Sequence, residues 1–218
     1  MKFILPTNCN IGKHQNCIEK MELREMVRIS VVGLGKVGST LAFALLQVPQ
    51  VTVIGVSDID KEKEAGEIED LTQAMMMLGI EDRIIMPDLS DSDLLFICAG
   101  HPREYRPATF LSGEMFESDG ELYDKNYPIV QEIVMYAEAH DISKNNIYIV
   151  TNPSTLLAKM IGCHEVGETL DSMRCYSGCE SGKWILQRKG FTNFGVVAEC
   201  VEIVKNFIKN QSQLNGCQ

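Results

Sequence analysis

The sequence predicts an α/β fold built on a doubly wound parallel sheet, and three observations carry that expectation. From Val27 onward, apolar runs of strand length alternate with longer helical patterns, the signature of a parallel sheet covered on both faces. The first run, Val27 to Val32, ends in Gly33-Leu34-Gly35-Lys36-Val37-Gly38. The second run ends in Asp58. A strand, a turn tight enough to demand glycine, a helix packed hard on that strand and an acid after the next strand form the fingerprint of a dinucleotide site.

The elements follow in order. Residues 1–26 lack periodicity and carry Asn, Lys, Gln and His, so they read as an extension before the domain. Strands are expected at Val27 to Val32, Val51 to Ser57, Arg83 to Met86, Asp93 to Cys98 and Asn146 to Thr151, bounded by turn residues. Helices fit Val37 to Gln47, Lys61 to Leu78 and Tyr127 to His140, the last with Ile129, Val130, Ile133, Val134 and Ala137 on one stripe. After Pro153 the pattern weakens, until a final helix from about Asn193 to Lys209 puts Val197, Val201, Val204 and Ile208 on one face. Domains are therefore expected as an extension at 1–26, a nucleotide domain at 27–152 and a shortened remainder at 153–218.

Composition narrows the class. The 218 residues are 45% hydrophobic with a formal charge of -10, enough apolar residue for a good core. The acidic balance lacks any Lys or Arg run, which argues against nucleic acid and against an anionic membrane surface as partners. No apolar stretch reaches the roughly 18 to 20 residues of a spanning helix, and the start of the chain does not read as a signal peptide, so a cytoplasmic location is expected. Eight cysteines include Cys98 and Cys200 inside or beside apolar elements, where free thiols act as small hydrophobes. Cys163, His164, Cys175 and Cys179 match no common zinc spacing, and no metal is expected.

Gly33, Gly35, Lys36, Val37 and Gly38 are the candidate contacts to a dinucleotide, with its diphosphate on the positive end of the helix beginning near Lys36. Asp58 is placed to accept the ribose hydroxyls of an adenosine. Its charge repels a 2′-phosphate, which favours NAD over NADP, although Lys61 and Lys63 stand nearby. A turn aspartate at the end of a strand would look the same in isolation.

Taken together, Ile29 to Gly38, Asp58, Ala99-Gly100-His101-Pro102-Arg103, Asn126, Val150-Thr151-Asn152-Pro153 and Leu170-Asp171-Ser172-Met173-Arg174 resemble the lactate/malate dehydrogenase family in the right order. The resemblance covers residues 27 to about 174 and returns at Lys189 to Ile208. It implies a Rossmann doubly wound parallel sheet followed by a truncated C-terminal α-rich substrate domain, and hydride transfer between NAD and a 2-hydroxy acid. Position by position, it implies cofactor contacts at Ala99, Gly100, Asn126 and Val150. Arg103 matches the arginine that grips the distal carboxylate of malate, where a guanidinium fork offers paired charge-assisted hydrogen bonds. Asn152 matches the asparagine that orients the substrate and Arg174 the arginine that anchors its carboxylate. Asp171 matches the aspartate that holds the catalytic histidine. The partner would be a small 2-hydroxy or 2-oxo acid, and the assembly a homo-oligomer.

The departures from the family matter equally. Its proton-donating histidine lies in a GEHGDS-like segment that this sequence lacks; the nearest remnant is Gly178 to Lys183, with Glu180 where a histidine would fall. None of His14, His101, His140 and His164 has the family context. Losing a proton donor typically costs about 10²- to 10⁴-fold in rate. Thr109 stands where the family's mobile loop carries a second arginine, with Arg106 nearby, and Gly113 to Gly120 reads as inserted loop. Three readings remain open: a malate-type dehydrogenase with full or reduced activity, an NAD-binding family member without turnover, and a shortened product that folds poorly alone.

Overall fold

The computed structural model describes residues 27–104, 117–167 and 181–215. Six strands form one sheet: β1 (Val27–Val32), β2 (Val51–Ser57), β3 (Ile84–Met86), β4 (Leu94–Ile97), β5 (Ile147–Ile149) and β6 (His164–Glu165). Their order is β3-β2-β1-β4-β5-β6 and every pairing is parallel. The chain winds outward from β1 to β3, returns to β4 and winds outward the other way. The strand order therefore reverses between β1 and β4, and in such sheets the crevice at the carboxyl ends of those two strands is where ligands sit.

Alternation along the strands builds a core on each face. Ile29, Val31, Ile54, Val56, Leu94 and Phe96 pack one way, under α1 (Lys36–Leu45), α2 (Lys61–Met77) and α6 (Phe194–Asn215) through Leu41, Leu45, Leu71, Val197, Cys200 and Val204. Val32, Leu95, Ile97, Ile147 and Ile149 face the other way, under α3 (Asp119–Ala139) and α4 (Ser154–Ile161) through Val130, Val134, Ala137, Leu157 and Ala158. Buried on both sides, these strands read as near-continuous apolar runs. No helix of the described residues is long and apolar enough to cross a membrane.

The elements expected from sequence are present with shifted ends, and three differences have physical causes. α3 begins at Asp119, eight residues before Tyr127, and runs through Pro128. Its start is fixed by a capping box in which the Glu121 N–H donates to Ser118 Oγ (3.3 Å) and the Ser118 N–H donates to Glu121 Oε2 (3.1 Å). Gly120 thus belongs to the helix, which corrects the reading of Gly113 to Gly120 as inserted loop over its last two residues. The sheet also runs past residue 152: Tyr148 and Ile149 pair with His164 and Glu165. A two-residue strand gives no periodicity to detect. Finally, α4 and α5 (Ser181–Lys189) lie in the stretch after Pro153 where the pattern weakens, both too short to show several turns of a stripe. The extension at 1–26 lies outside the described residues.

Three described cysteines, Cys98, Cys163 and Cys200, are free thiols. Burial pushes Cys98 up to about 12 and Cys163 to about 11, and raises Cys200 as well. They stay protonated near neutral pH and act as packing groups.

Candidate cofactor site

The turn after β1 is built by close approach. Gly33 has φ 92°, the left-handed region that side chains avoid, and a Cβ there would lie 2.4 Å from the Ala99 Cα and N. The turns after β1 and β4 thus touch across the switch point. The Cys98 N–H donates to the Val32 carbonyl (2.8 Å) between these two turns, and the Gly33 N–H ties the β1 turn to the end of β2 through the Ser57 carbonyl (2.7 Å). A Cβ on Gly38 would stand 2.0 Å from the Gly33 carbonyl oxygen, so the first turn of α1 is pressed against the strand that precedes it.

Above this turn the space is open. A Cβ on Gly35 would meet nothing within 4 Å, and Gly35 and Lys36 are exposed. α1 has Gly35 at its N-cap, no side-chain cap and no acid in its first turn. The first N–H groups of a helix have no partner within it, and here they meet neither a capping oxygen nor a balancing carboxylate. That end of the helix suits an anion. Lys36 and Lys189 add charge beside it: their ammonium groups lie 4.0 and 4.4 Å from the centroid of the Phe191 ring. Asn193 ties this corner down, accepting from Lys189 and donating to Thr40 Oγ1 on α1 at 3.2 Å.

Asp58 stands immediately after β2, its side chain 10% exposed. Its Oδ2 accepts from the Leu34 N–H (2.7 Å) inside the glycine turn and from Lys63 Nζ (3.1 Å), while Oδ1 accepts from the Asp60 N–H (3.1 Å). Burial raises its pKa, but the backbone N–H groups of Asp60 and Leu34 together with Lys63 outweigh this and hold the carboxyl below its ordinary value. The carboxylate is ionised, locked to the turn, and keeps acceptor capacity on Oδ1. A dinucleotide fits these residues: open room over Gly35, an uncapped positive helix end, and an acid one strand away.

Across the switch point, Ala99 and Gly100 leave β4 and Val150 to Asn152 leave β5. Asn126 on α3 is fully buried and clamps the two turns. Its Oδ1 accepts from the His101 N–H (2.7 Å), and its Nδ2 donates to the carbonyls of His101 (3.1 Å) and Asn152 (2.7 Å). The Thr151 hydroxyl stands 2.7 Å from the Ala99 carbonyl and 3.0 Å from that of Ile97. Val150 is buried and Asn152 exposed.

Arg103 lies just beyond, 21% exposed, with one guanidinium nitrogen on the Glu117 carbonyl (2.6 Å) and another on the Asp119 carboxylate. Lys125 bridges Glu117 (2.8 Å) and Glu104 (3.0 Å). The guanidinium expected to meet a substrate carboxylate is thus held by a carboxylate of its own chain. Arg106, Thr109, Asp171, Arg174 and Glu180 lie outside the described residues.

The structure therefore brings Gly33, Gly35, Lys36, Val37, Gly38, Asp58, Ala99 and Gly100 to one end of the sheet, with Asn126, Val150, Asn152 and Arg103 on its β4–β5 side. Three further groups were not singled out for this site from sequence. Asp119 holds Arg103, and Lys189 reaches the start of α1 from far along the chain, a contact no local pattern signals. Glu64 is buried beside Asp58; it shares a helical stripe with Ile68 and Leu71, but the half-buried Glu67 falls on the same stripe, so spacing alone does not single it out.

Comparison with known proteins agrees with this geometry. Residues 27–168 match the family model described as lactate/malate dehydrogenase, NAD binding domain. The L-lactate dehydrogenase of Clostridium perfringens is 34% identical over 133 residues, covering 60% of this chain and 38% of the relative. That of Fervidobacterium nodosum is 34% identical over 144 residues, covering 62% and 41%. The chain thus spans less than half the length of these curated relatives. Among solved structures, malate dehydrogenase from Archaeoglobus fulgidus in complex with NADH superposes with a TM-score of 0.62 at 22% identity, covering 84% of this chain and 78% of that one. A lactate dehydrogenase from a Medee basin deep-sea metagenome library gives 0.61 at 19% identity, covering 82% and 76%. These likenesses show the Rossmann-type fold, and the family match goes further: the chain belongs to the lactate/malate dehydrogenase family, and residues 27–168 are its NAD-binding domain.

Proposed function

We propose that the protein binds NAD between the β1 turn and Asp58 and acts as an oxidoreductase on a 2-hydroxy dicarboxylic acid such as malate, with full or reduced activity. The observation that carries the reading is the uncapped start of α1 beneath an open glycine turn, with Asp58 bonded to the Leu34 N–H of that turn. In this reading Gly33, Gly35, Lys36, Val37 and Gly38 receive the diphosphate, with Lys36 and Lys189 adding charge, and Asp58 receives the ribose. Ala99, Gly100, Asn126 and Val150 form the nicotinamide side. NAD supplies a hydride acceptor when bound. Residues 27–152 carry the proposed cofactor contacts, and the chain beyond them adds β6 and α6 to the same sheet and core. The family resemblance supports a homo-oligomer, and a cytoplasmic location is part of the same proposal.

For the substrate, Arg103 grips the distal carboxylate, Asn152 orients the 2-oxygen and Arg174 anchors the near carboxylate. Asp171 positions the proton donor. Arg103 must exchange Asp119 for the substrate, and an exposed ion pair contributes only about 0–1 kcal/mol, so the exchange is within reach. Arg103→Gln is expected to raise the KM for oxaloacetate about 100-fold while leaving NADH affinity within twofold, read by steady-state kinetics beside a binding titration. Equal KM values would remove Arg103 from the substrate.

A second reading, an NAD-binding protein without turnover, is favoured by the missing GEHGDS-like segment and by the occupied state of Arg103. Adding oxaloacetate to the NADH-loaded protein and following cofactor absorbance separates the two. Oxidation supports the enzyme; bound NADH that is never oxidised leaves the binding protein. In either case Asp58→Ala is expected to weaken NADH about tenfold, the loss of one charge-assisted hydrogen-bonded contact, and unchanged affinity would place the ribose elsewhere.

A further inference from the structure

Two carboxylates and two lysines interlock where β2 meets α2, and the arrangement does more than present Asp58. Glu64 is 6% exposed and one of its oxygens, Oε2, accepts both the Asp58 N–H (2.8 Å) and Lys61 Nζ (2.6 Å). One oxygen of Asp58, Oδ2, in turn accepts both the Leu34 N–H and Lys63 Nζ. Asp60 caps the helix, accepting from the N–H groups of Glu62 and Lys63 at 3.2 Å. Each ammonium group at this corner therefore has one carboxylate, and both carboxylates are fixed by backbone N–H groups. The lysine side chains remain reachable from solvent, Lys61 at 61% and Lys63 at 41%. Asp60 and Glu62 also stand at this helix start, but the carboxylates that pair Lys61 and Lys63 are those of Glu64 and Asp58, and an unpaired ammonium there would attract a phosphate dianion.

We propose that Glu64 is a specificity-determining residue of the cofactor site: by neutralising Lys61, and by fixing the Asp58 backbone, it denies a 2′-phosphate the cation it would need and so keeps the site selective for the unphosphorylated ribose. This rests on the reading of Asp58 as the ribose acceptor, and extends it. Asp58 alone repels the phosphate, but it leaves Lys61 free to attract one. Glu64 removes that attraction. It does not touch the ribose in this account; it acts through Lys61 and Asp58.

Glu64→Gln separates charge from scaffold, because the amide oxygen can still accept the Asp58 N–H while the negative charge is gone. NADH and NADPH are titrated against the purified full chain, each followed by its own fluorescence. The variant is expected to bind NADPH roughly fivefold to tenfold tighter than the unaltered protein, the effect of one unit charge near a phosphate at intermediate dielectric, with NADH affinity within twofold. Lys61→Gln, at an exposed site that does not threaten folding, is expected to act in the opposite sense: Glu64 loses its partner and NADPH binds roughly fivefold weaker. Both shifts should shrink in high salt. An unchanged ratio of NADPH to NADH affinity in Glu64→Gln overturns the proposal. Should Glu64→Gln fail to fold, an unchanged ratio in Lys61→Gln overturns it equally. If the unaltered protein binds no NADH, the function reading falls and this inference falls with it. If it binds NADH and neither variant moves the ratio, this inference alone falls.

Discussion

Gly33→Ala is expected to lower stability by roughly 2–5 kcal/mol and to abolish NADH binding. Two costs add. The native φ of 92° is strained for alanine by about 1–2 kcal/mol. The new Cβ would also sit 2.4 Å from the Ala99 backbone, and overpacking of this kind costs about 1–3 kcal/mol more. Ala99 cannot step aside cheaply, since Cys98 beside it donates to the Val32 carbonyl and the Thr151 hydroxyl bonds its own carbonyl. Relief would have to come from parting the β1 and β4 turns, which is where the cofactor is proposed to lie. Urea unfolding should show a lower midpoint at an unchanged slope. A midpoint within error of the unaltered protein would mean that the two turns do not touch in solution.

Asn126→Ala is expected to cost about 3 kcal/mol and to damage the substrate side more than the adenosine side. The asparagine is fully buried, and its removal strands the His101 N–H and the carbonyls of His101 and Asn152. Each buried orphan costs about 1–3 kcal/mol, softened where water enters the space left behind. Arg103 lies two residues past His101, so the loosened turn should raise the KM for oxaloacetate while Asp58, across the switch point, keeps its grip on the ribose. Equal losses in NADH and oxaloacetate affinity would contradict this division. Asn126 was expected to contact the cofactor; its side chain also clamps two backbone turns together.

The fold was legible because its strongest signals are local. Val27 to Gly38 encodes strand, turn and helix in twelve residues, and the strands buried on both faces write near-continuous apolar runs. What escaped was short or non-local. β6 is two residues long, and its only signature is its pairing with β5. The start of α3 depended on reading Ser118 and Glu121 as a box, where Pro128 invites a later start because proline suits a helix's first turn. Sequence placed the candidate residues but not their present partners. Arg103 looks the same in sequence whether it waits for a substrate or grips Asp119, and a separation of 16 positions carries no periodic clue that they meet. Glu64 shares its helix face with the half-buried Glu67, so helical spacing does not mark which of the two carboxylates meets Asp58.

Residues 33–58 are proposed to hold NAD. Trp184 is the only tryptophan in the chain, and α5 carries it on the segment that leads to Lys189 and Phe191 at the start of α1. Titrating NADH while following energy transfer from Trp184 should therefore report binding directly. Saturable one-to-one binding that weakens about tenfold in Asp58→Ala is the expected result. A protein that melts cooperatively and yet shows no saturable NADH binding would contradict it.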